Sequence, residues 1–304
     1  MLFNFKNMEK LRGAIAVFIG AACFGILSTF VKKSYASGFT LAEVTGVQAL
    51  LGMICLWMLY LILKLSNYNF SSFTKKTASW KIIVAGISTG LVSILYYKCV
   101  ELVPASIAIV LLMQFIWIGA LINYVVYRQA PSKKQFIGIL LILISTVFAT
   151  GAIESTIDNI SSIGVMYGIL AATAYAIFLI VNGKIGNDYP PVHKSALMVT
   201  GAFIFIFCTL QPVSLFNSNI DFKIYQYGTL LAIFGTVLPP FLFAYGMPKI
   251  GVSLGSILSA VELPVAVCMS YFVLSETVSI IQWIGVIAIL SIVVWINYNK
   301  RSNI

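Results

Sequence analysis

Residues 251–274 read GVSLGSILSAVELPVAVCMSYFVL, a run long enough to cross a bilayer with a single charge, Glu262, halfway along it. A membrane helix needs about 20 mostly apolar residues. An ionised carboxylate near the bilayer midplane costs about 3 kcal/mol or more, so it is protonated, paired or facing water. Gly251, Gly255, Ser259, Glu262 and Ala266 recur at helical spacing and share one face. Small residues there let a second helix or a solute approach the backbone closely.

The rest of the chain follows the same pattern. Its 304 residues are 60% hydrophobic and 9% charged, with a mean hydropathy of +1.00. An average soluble domain is about 45–50% apolar and about 25% charged. These figures exclude a soluble enzyme, a disordered chain and a secreted disulfide scaffold. Ten apolar runs stand out: 11–32, 41–65, 79–101, 104–128, 133–151, 162–185, 193–216, 226–248, 251–274 and 279–298. The links are short and leave no room for a soluble domain. Run 11–32 follows Lys6, Lys10 and Arg12 and has no convincing small-residue cleavage site, so it reads as a retained span. Cys23, Cys55, Cys99, Cys208 and Cys268 all lie in apolar runs without metal-clip spacing and read as small core residues. The expected fold is an all-α polytopic membrane protein.

The net charge of +10 sets its orientation. With the N-terminus cytoplasmic, 15 of the 19 Lys and Arg fall at cytoplasmic ends. Lys32, Lys33, Lys98 and Lys223 fall opposite. That bias follows the positive-inside rule and fits an even number of spans. The charge is therefore a topology signal and excludes a nucleic-acid patch. Both termini are expected in the cytoplasm of a cell with the protein in its plasma or inner membrane.

The two halves match. At an offset of 148, Tyr97 meets Tyr245, Gln114 meets Glu262 and Arg128 meets Glu276. At 147, residues 135–138 (QFIG) meet 282–285 (QWIG), and at 151 Gly13, Ala21 and Lys33 meet Gly164, Ala172 and Lys184. Each half holds five spans, so the second enters the membrane from the opposite side. Ten helices in two inverted-topology repeats, 11–151 and 162–298, are expected, an arrangement common among secondary transporters.

Phe243-Ala244-Tyr245-Gly246, Ser256 to Pro264 (SILSAVELP), Leu274-Ser275-Glu276 and Gln282-Trp283-Ile284-Gly285 together resemble the closing pattern of the EamA repeat in the drug/metabolite transporter superfamily. The first half resembles it more loosely, through Tyr96-Tyr97, Pro104-Ala105-Ser106 and residues 135–138. The resemblance implies ten helices in two inverted five-helix repeats around a central cavity, and transport of amino acids, other small metabolites or drugs. Arg128 stands where that repeat usually has a glutamate, and Ile116 where it has a proline.

The expected substrate pathway is built from polar and aromatic residues within spans. Glu262 either lines the route, binding a cationic group or a proton, or hydrogen-bonds a neighbouring helix. Ser259 and Gly255 share its face, and Gln114 is its repeat mate. Tyr96, Trp117, Tyr175, Tyr245, Gln48 and Asn182 are further candidates. Glu43 is expected at an outer gate, answering Lys32 or Lys33. Pro239-Pro240 and Pro264 bend or break helices and mark flexing points.

The function expected is a secondary transporter, read as an exporter, of small organic metabolites such as amino acids or related zwitterionic or cationic compounds. Its partners are a small-molecule substrate and the lipid bilayer, with a proton as coupling ion and a homodimer left open. GxxxxGK[ST] and HExxH motifs are both absent from the sequence, so neither a nucleotide motor nor a zinc-protease set is read. No catalytic residue, metal or cofactor is assigned. A non-transporting structural or receptor-like membrane protein is the alternative, and an intramembrane enzyme the third. No cluster of basic residues lies at membrane depth, so phosphate esters are expected not to exchange in proteoliposomes; efficient exchange would refute this reading of the pathway.

Overall fold

A computed structural model describes residues 2–66, 73–74, 76–103, 105–149, 161–216, 221–275 and 277–297. Lys75, Pro104, Glu276, Lys300 and Arg301, used in the sequence argument, lie outside them. Among the described residues the secondary structure is helical throughout. The elements are α1 (Leu2–Ala36), α2 (Leu41–Leu65), α3 (Ser79–Leu102), α4 (Ala105–Met113), α5 (Phe115–Tyr127), α6 (Lys133–Ala149), α7 (Ser162–Lys184) and α8 (Pro191–Leu210). Then come α9 (Lys223–Leu231), a π-helix (Ala232–Val237), α10 (Leu238–Ile250), α11 (Val252–Ser259), α12 (Glu262–Leu274) and α13 (Ile280–Asn297).

Three of the expected runs are subdivided. Ile107–Tyr127, Lys223–Ile250 and Val252–Leu274 each continue as one span through a local irregularity. Eight helical spans are long and apolar enough to cross a membrane, and Ile280–Ile296 is a shorter apolar helix. That last helix packs on α6. Each of the ten apolar runs of the sequence thus contains helix among the described residues.

Local chemistry fixes the ends. Thr40 caps α2 through its side chain, and Glu43 bonds back to the Thr40 backbone, completing a capping box. The seventh span starts at Pro191 and stops at Leu210, not at 193 and 216. Proline suits the first helical turn, where its missing N–H has no partner to lose. Gln211 is left-handed (φ 44°), and Pro212 follows. His193 and Lys194 therefore lie in the first turn of this helix.

Several element ends in the two halves stand 147 residues apart. The helices α5 and α12 both have 13 residues and start 147 residues apart. Their left-handed C-caps, Arg128 and Ser275, stand 147 apart as well. Ser132 and Gln135 bond each other's backbone N–H as Ser279 and Gln282 do. From α4 onward Gln114 therefore aligns with Val261, and Glu262 with Phe115. The chain turns between α3 and α4 with one residue more than between α10 and α11, which removes one from the offset of 148.

Packing joins the halves rather than separating them. The helix α3 lies on α7 and α8, α1 on α10, α11 and α12, α2 on α8, α9 and the π-helix, and α7 on α4 and α5. The closest crossings use glycine. A side chain on Gly86 of α3 would run into the Met198 carbonyl of α8, and one on Gly201 of α8 into the Ile83 carbonyl of α3. Gly13 and Gly246 face each other's carbonyls where α1 crosses α10. A Gly86→Val change is expected to destabilise the protein by about 2 kcal/mol or more. Thermal unfolding in detergent reads this; Gly119→Ala, where an added methyl meets nothing closer than 3.6 Å, should leave the transition in place.

Candidate functional site

A cavity lies where α1, α2, α3, α4, α7, the π-helix and α12 converge. Its space for water-sized groups is about 40 Å³. One water takes about 10–15 Å³ in this measure, so three or so would fill it. Phe24, Leu27, Val92, Leu112 and Phe178 supply apolar wall. Gln48, Thr89, Ser93, Tyr96, Tyr97, Tyr175 and Glu262 supply polar wall.

Gln48 is the joint of the polar side. The Tyr97 hydroxyl donates to its Oε1 at 2.8 Å, and its Nε2 donates to Thr236 Oγ1 at 3.0 Å. One amide thus joins α2, α3 and the π-helix. The backbone of Gly235 lies against that Nε2, leaving no place for a side chain. Inserted π-turns are often found at functional sites, because they re-aim one turn of helix.

Glu262 starts α12 and is 4% exposed. The chain breaks helix just before it: Ala260 and Val261 bond back three residues, to Ile257 and Leu258. Gly25 of α1 sits against the Glu262 carbonyl with no room for a Cβ, so α1 closes directly over the break. Glu262 Oε2, Tyr96 Oη, Tyr175 Oη and Thr89 Oγ1 are buried and have no hydrogen-bond partner. Tyr175 lies beside both Glu262 and Ser259, although at no ordinary hydrogen-bond geometry. The rings of Phe24, Tyr175 and Phe178 pack mutually at 5.7 to 6.1 Å around this corner.

The structure brings together four of the pathway residues expected from sequence: Glu262, Tyr96, Tyr175 and Gln48. Ser259 lies just behind them and donates to the Gly255 carbonyl; Gly255 is packed against Met247. The others lie elsewhere. Gln114 donates to the Val110 carbonyl and accepts from Trp117, so its amide is satisfied on its own span. Trp117 is 42% exposed and lines a lateral apolar groove with Tyr124, Phe136 and Ile137. Tyr245 carries the Lys249 ammonium over its ring at 3.7 Å, near the end of α10. Asn182 is fully buried, and its carbonyl accepts from Lys194 Nζ. Glu43 closes the capping box of α2.

A second polar cluster joins the α2–α3 and α7–α8 connections. Thr77 donates to Asp188 through its amide and its hydroxyl, at 2.6 Å each. The Tyr189 hydroxyl donates to the Thr77 carbonyl at 2.9 Å and meets Ser79 at 3.0 Å. Lys194, 1% exposed, reaches the Asn182 carbonyl at 2.7 Å and Asn187 Oδ1 at 2.8 Å. His193 stacks on Tyr60 at 4.2 Å. The sequence reading counted Lys194 among the basic residues at the cytoplasmic end of the seventh span; Pro190-Pro191 was the available signal that the helix starts two residues earlier.

Burial by itself would raise the Asp188 carboxyl, but the bonds from Thr77 outweigh it and hold Asp188 below the usual carboxylate range. A depressed acid stabilises the fold above its unfolded value of about 3.9 and loses that contribution as pH falls through the folded value. The clasp is therefore expected intact at neutral pH and weakened in strong acid. Hydrogen exchange at residues 76–80 should accelerate in Asp188→Asn at pH 7; unchanged exchange would show that the clasp holds nothing. In the cavity, Gln48→Leu strands the Tyr97 and Thr236 hydroxyls and is expected to destabilise by about 2 kcal/mol. Thermal unfolding checks it.

Comparison with known proteins matches this architecture. The model of the EamA-like transporter family matches residues 11–151 and 162–298. The "Uncharacterized transporter YcbK" of Bacillus subtilis is 22% identical over 301 residues, covering 97% of this chain and 96% of that protein. The "Uncharacterized transporter sll1319" of Synechocystis is 23% identical over 320 residues, covering 96% and 95%. A solved crystal structure superposes with a TM-score of 0.72 at 14% identity, over 93% of this chain and 98% of that one, and so shares the fold. Eight membrane-length apolar helices with a shorter one among the described residues, a cavity at a broken span and a family match across both halves agree, and the chain belongs to the EamA-like transporter family.

Proposed function

We propose that this membrane transporter is a secondary exporter of small organic metabolites, such as amino acids or related zwitterionic or cationic compounds, and works by alternating access. The observation that carries this reading is the unpartnered Glu262 Oε2 in a buried cavity bounded by helices of both halves. A carboxylate in hydrocarbon is too expensive to leave without a partner, so a solute group or a proton completes it. The cavity admits only a few water-sized groups and must widen to pass a metabolite.

The packing pattern supports an inverted repeat, and with it the mechanism. Exchanging the halves turns α3 on α7 into α10 on α1, turns α4–α5 on α7 into α11–α12 on α1, and leaves α2 on α8 and α6 on α13 as they are. Gly13 meets Lys249 and Ile250, as Gly164 meets Leu102 and Val103. Because these pairs cross between halves, the units that rock are not the two sequence repeats; each mixes helices of both.

The basic-residue bias supports cytoplasmic termini in a plasma or inner membrane, which puts the Thr77–Asp188 clasp at the cytoplasmic mouth. A metabolite screen by thermal shift, followed by flux in proteoliposomes, tests the function. Wild type is expected to move at least one labelled solute, and Glu262→Gln to slow it about tenfold or lose its pH dependence. An unchanged rate and pH profile in Glu262→Gln would remove Glu262 from the pathway; flux of no solute at all would remove the transport reading.

A further inference from the structure

The cavity wall has a charge balance that narrows the substrate class, taking the transporter reading as its basis. Among the residues lining it, Glu262 is the only charged one, and no Lys, Arg or His joins it. Glu262 is 4% exposed and its Oε2 has no protein partner. The hydroxyls of Tyr96, Tyr175 and Thr89 line the same cavity, equally unpartnered, and a hydroxyl oxygen accepts as readily as it donates. The one amide on the wall, Gln48, is already tied to Tyr97 and Thr236.

A dry cavity that holds one carboxylate is neutral when it takes one positive charge. A zwitterion would leave it with a net negative charge and bring a second carboxylate close to Glu262. Such a carboxylate would find hydroxyls but no cationic side chain, and two like charges in a low-dielectric pocket repel strongly. The rings of Phe24, Tyr175 and Phe178 add a second preference, because aromatic faces attract cations and their carbon surface suits an apolar body. An ammonium head, close to one water in size, also fits within the space the cavity offers.

We propose that Glu262, with the hydroxyls of Tyr96, Tyr175 and Thr89, forms a subsite for one ammonium or similar monocationic group, and that the transported solute is an organic monocation with an apolar body rather than a zwitterion. The test uses matched pairs that differ only by a carboxylate: 2-phenylethylamine against phenylalanine, and pentylamine against norleucine. Binding to the purified full-length protein is measured by thermal shift and titration, and flux is measured in proteoliposomes.

The amines are expected to bind about tenfold or more tightly than their amino-acid partners, and to be the members that cross. Glu262→Gln is expected to weaken amine binding by about tenfold or more. Glu262→Asp, which keeps the charge on a shorter arm, is expected to retain part of it and guards against a misfolded glutamine variant. Equal or tighter binding of the amino acids, amine binding unchanged in Glu262→Gln, or no binding of either amine overturns the proposal. Flux of an amino acid without its amine also overturns it and leaves the transporter reading standing. Amine binding without flux of any solute keeps the cationic subsite and overturns transport.

Discussion

Hydrocarbon offers no hydrogen bonds, so every polar group at membrane depth must find its partner within the protein. That constraint makes each span of this chain a helix and decides how its hydroxyls behave. Thr45, Thr146, Thr173, Ser195, Thr200, Ser259 and others donate to a carbonyl one turn back on their own helix. Such hydroxyls are cheap to carry and commit the helix to nothing. Thr89, Tyr96 and Tyr175 depart from the pattern, and they do so around one carboxylate. The cavity is thus defined as much by what is left unsatisfied as by its shape.

The irregularities of the helices obey the same constraint. The break before Glu262 and the one at Gln114 are short, and shorter-range backbone bonds take up part of the slack. At Gln114 the side chain itself returns to the Val110 carbonyl, while Trp117 covers its other end. At Glu262 no such return is made, and the acid faces the cavity. Two breaks at matching places in the two halves therefore have different consequences: one is sealed and the other is exposed to whatever enters.

Much of this was legible in the sequence. Hydropathy located the ten helical runs, and the isolated charge in 251–274 identified the centre of the cavity. Gln48, Tyr96 and Tyr175, singled out in the sequence as polar and aromatic residues within spans, line the same cavity. The failures have physical causes. Aromatic residues serve lipid-facing surface and interior alike, so Trp117 and Tyr245 could not be assigned to a face by type. Glu43, expected at an outer gate, lies three residues after Thr40 at a helix start, where it completes a capping box that the sequence reading did not name. Apolar helices match at neighbouring registers, so sequence alone pairs Gln114 with Glu262, while the caps at Arg128 and Ser275 stand 147 residues apart. Lys194 entered the sequence reading only as a basic residue at a cytoplasmic span end; its burial was not foreseen, since buried lysines are rare, and two carbonyl oxygens hold it here.

The reciprocal glycine contacts between α3 and α8 have a mechanical side. Backbones touching at Gly86 and Gly201 cannot move nearer, but two rods in contact at one crossing can still tilt on each other. The helix α3 begins at Ser79, about 10 Å of helix from Gly86 on one side, and Tyr97 lies about 16 Å of helix from it on the other. The crossing is then a fulcrum whose shorter arm points toward the Thr77–Asp188 contact. A tilt of α3 that pulls Thr77 away from Asp188 swings Tyr97, and with it the amide of Gln48, in the opposite sense.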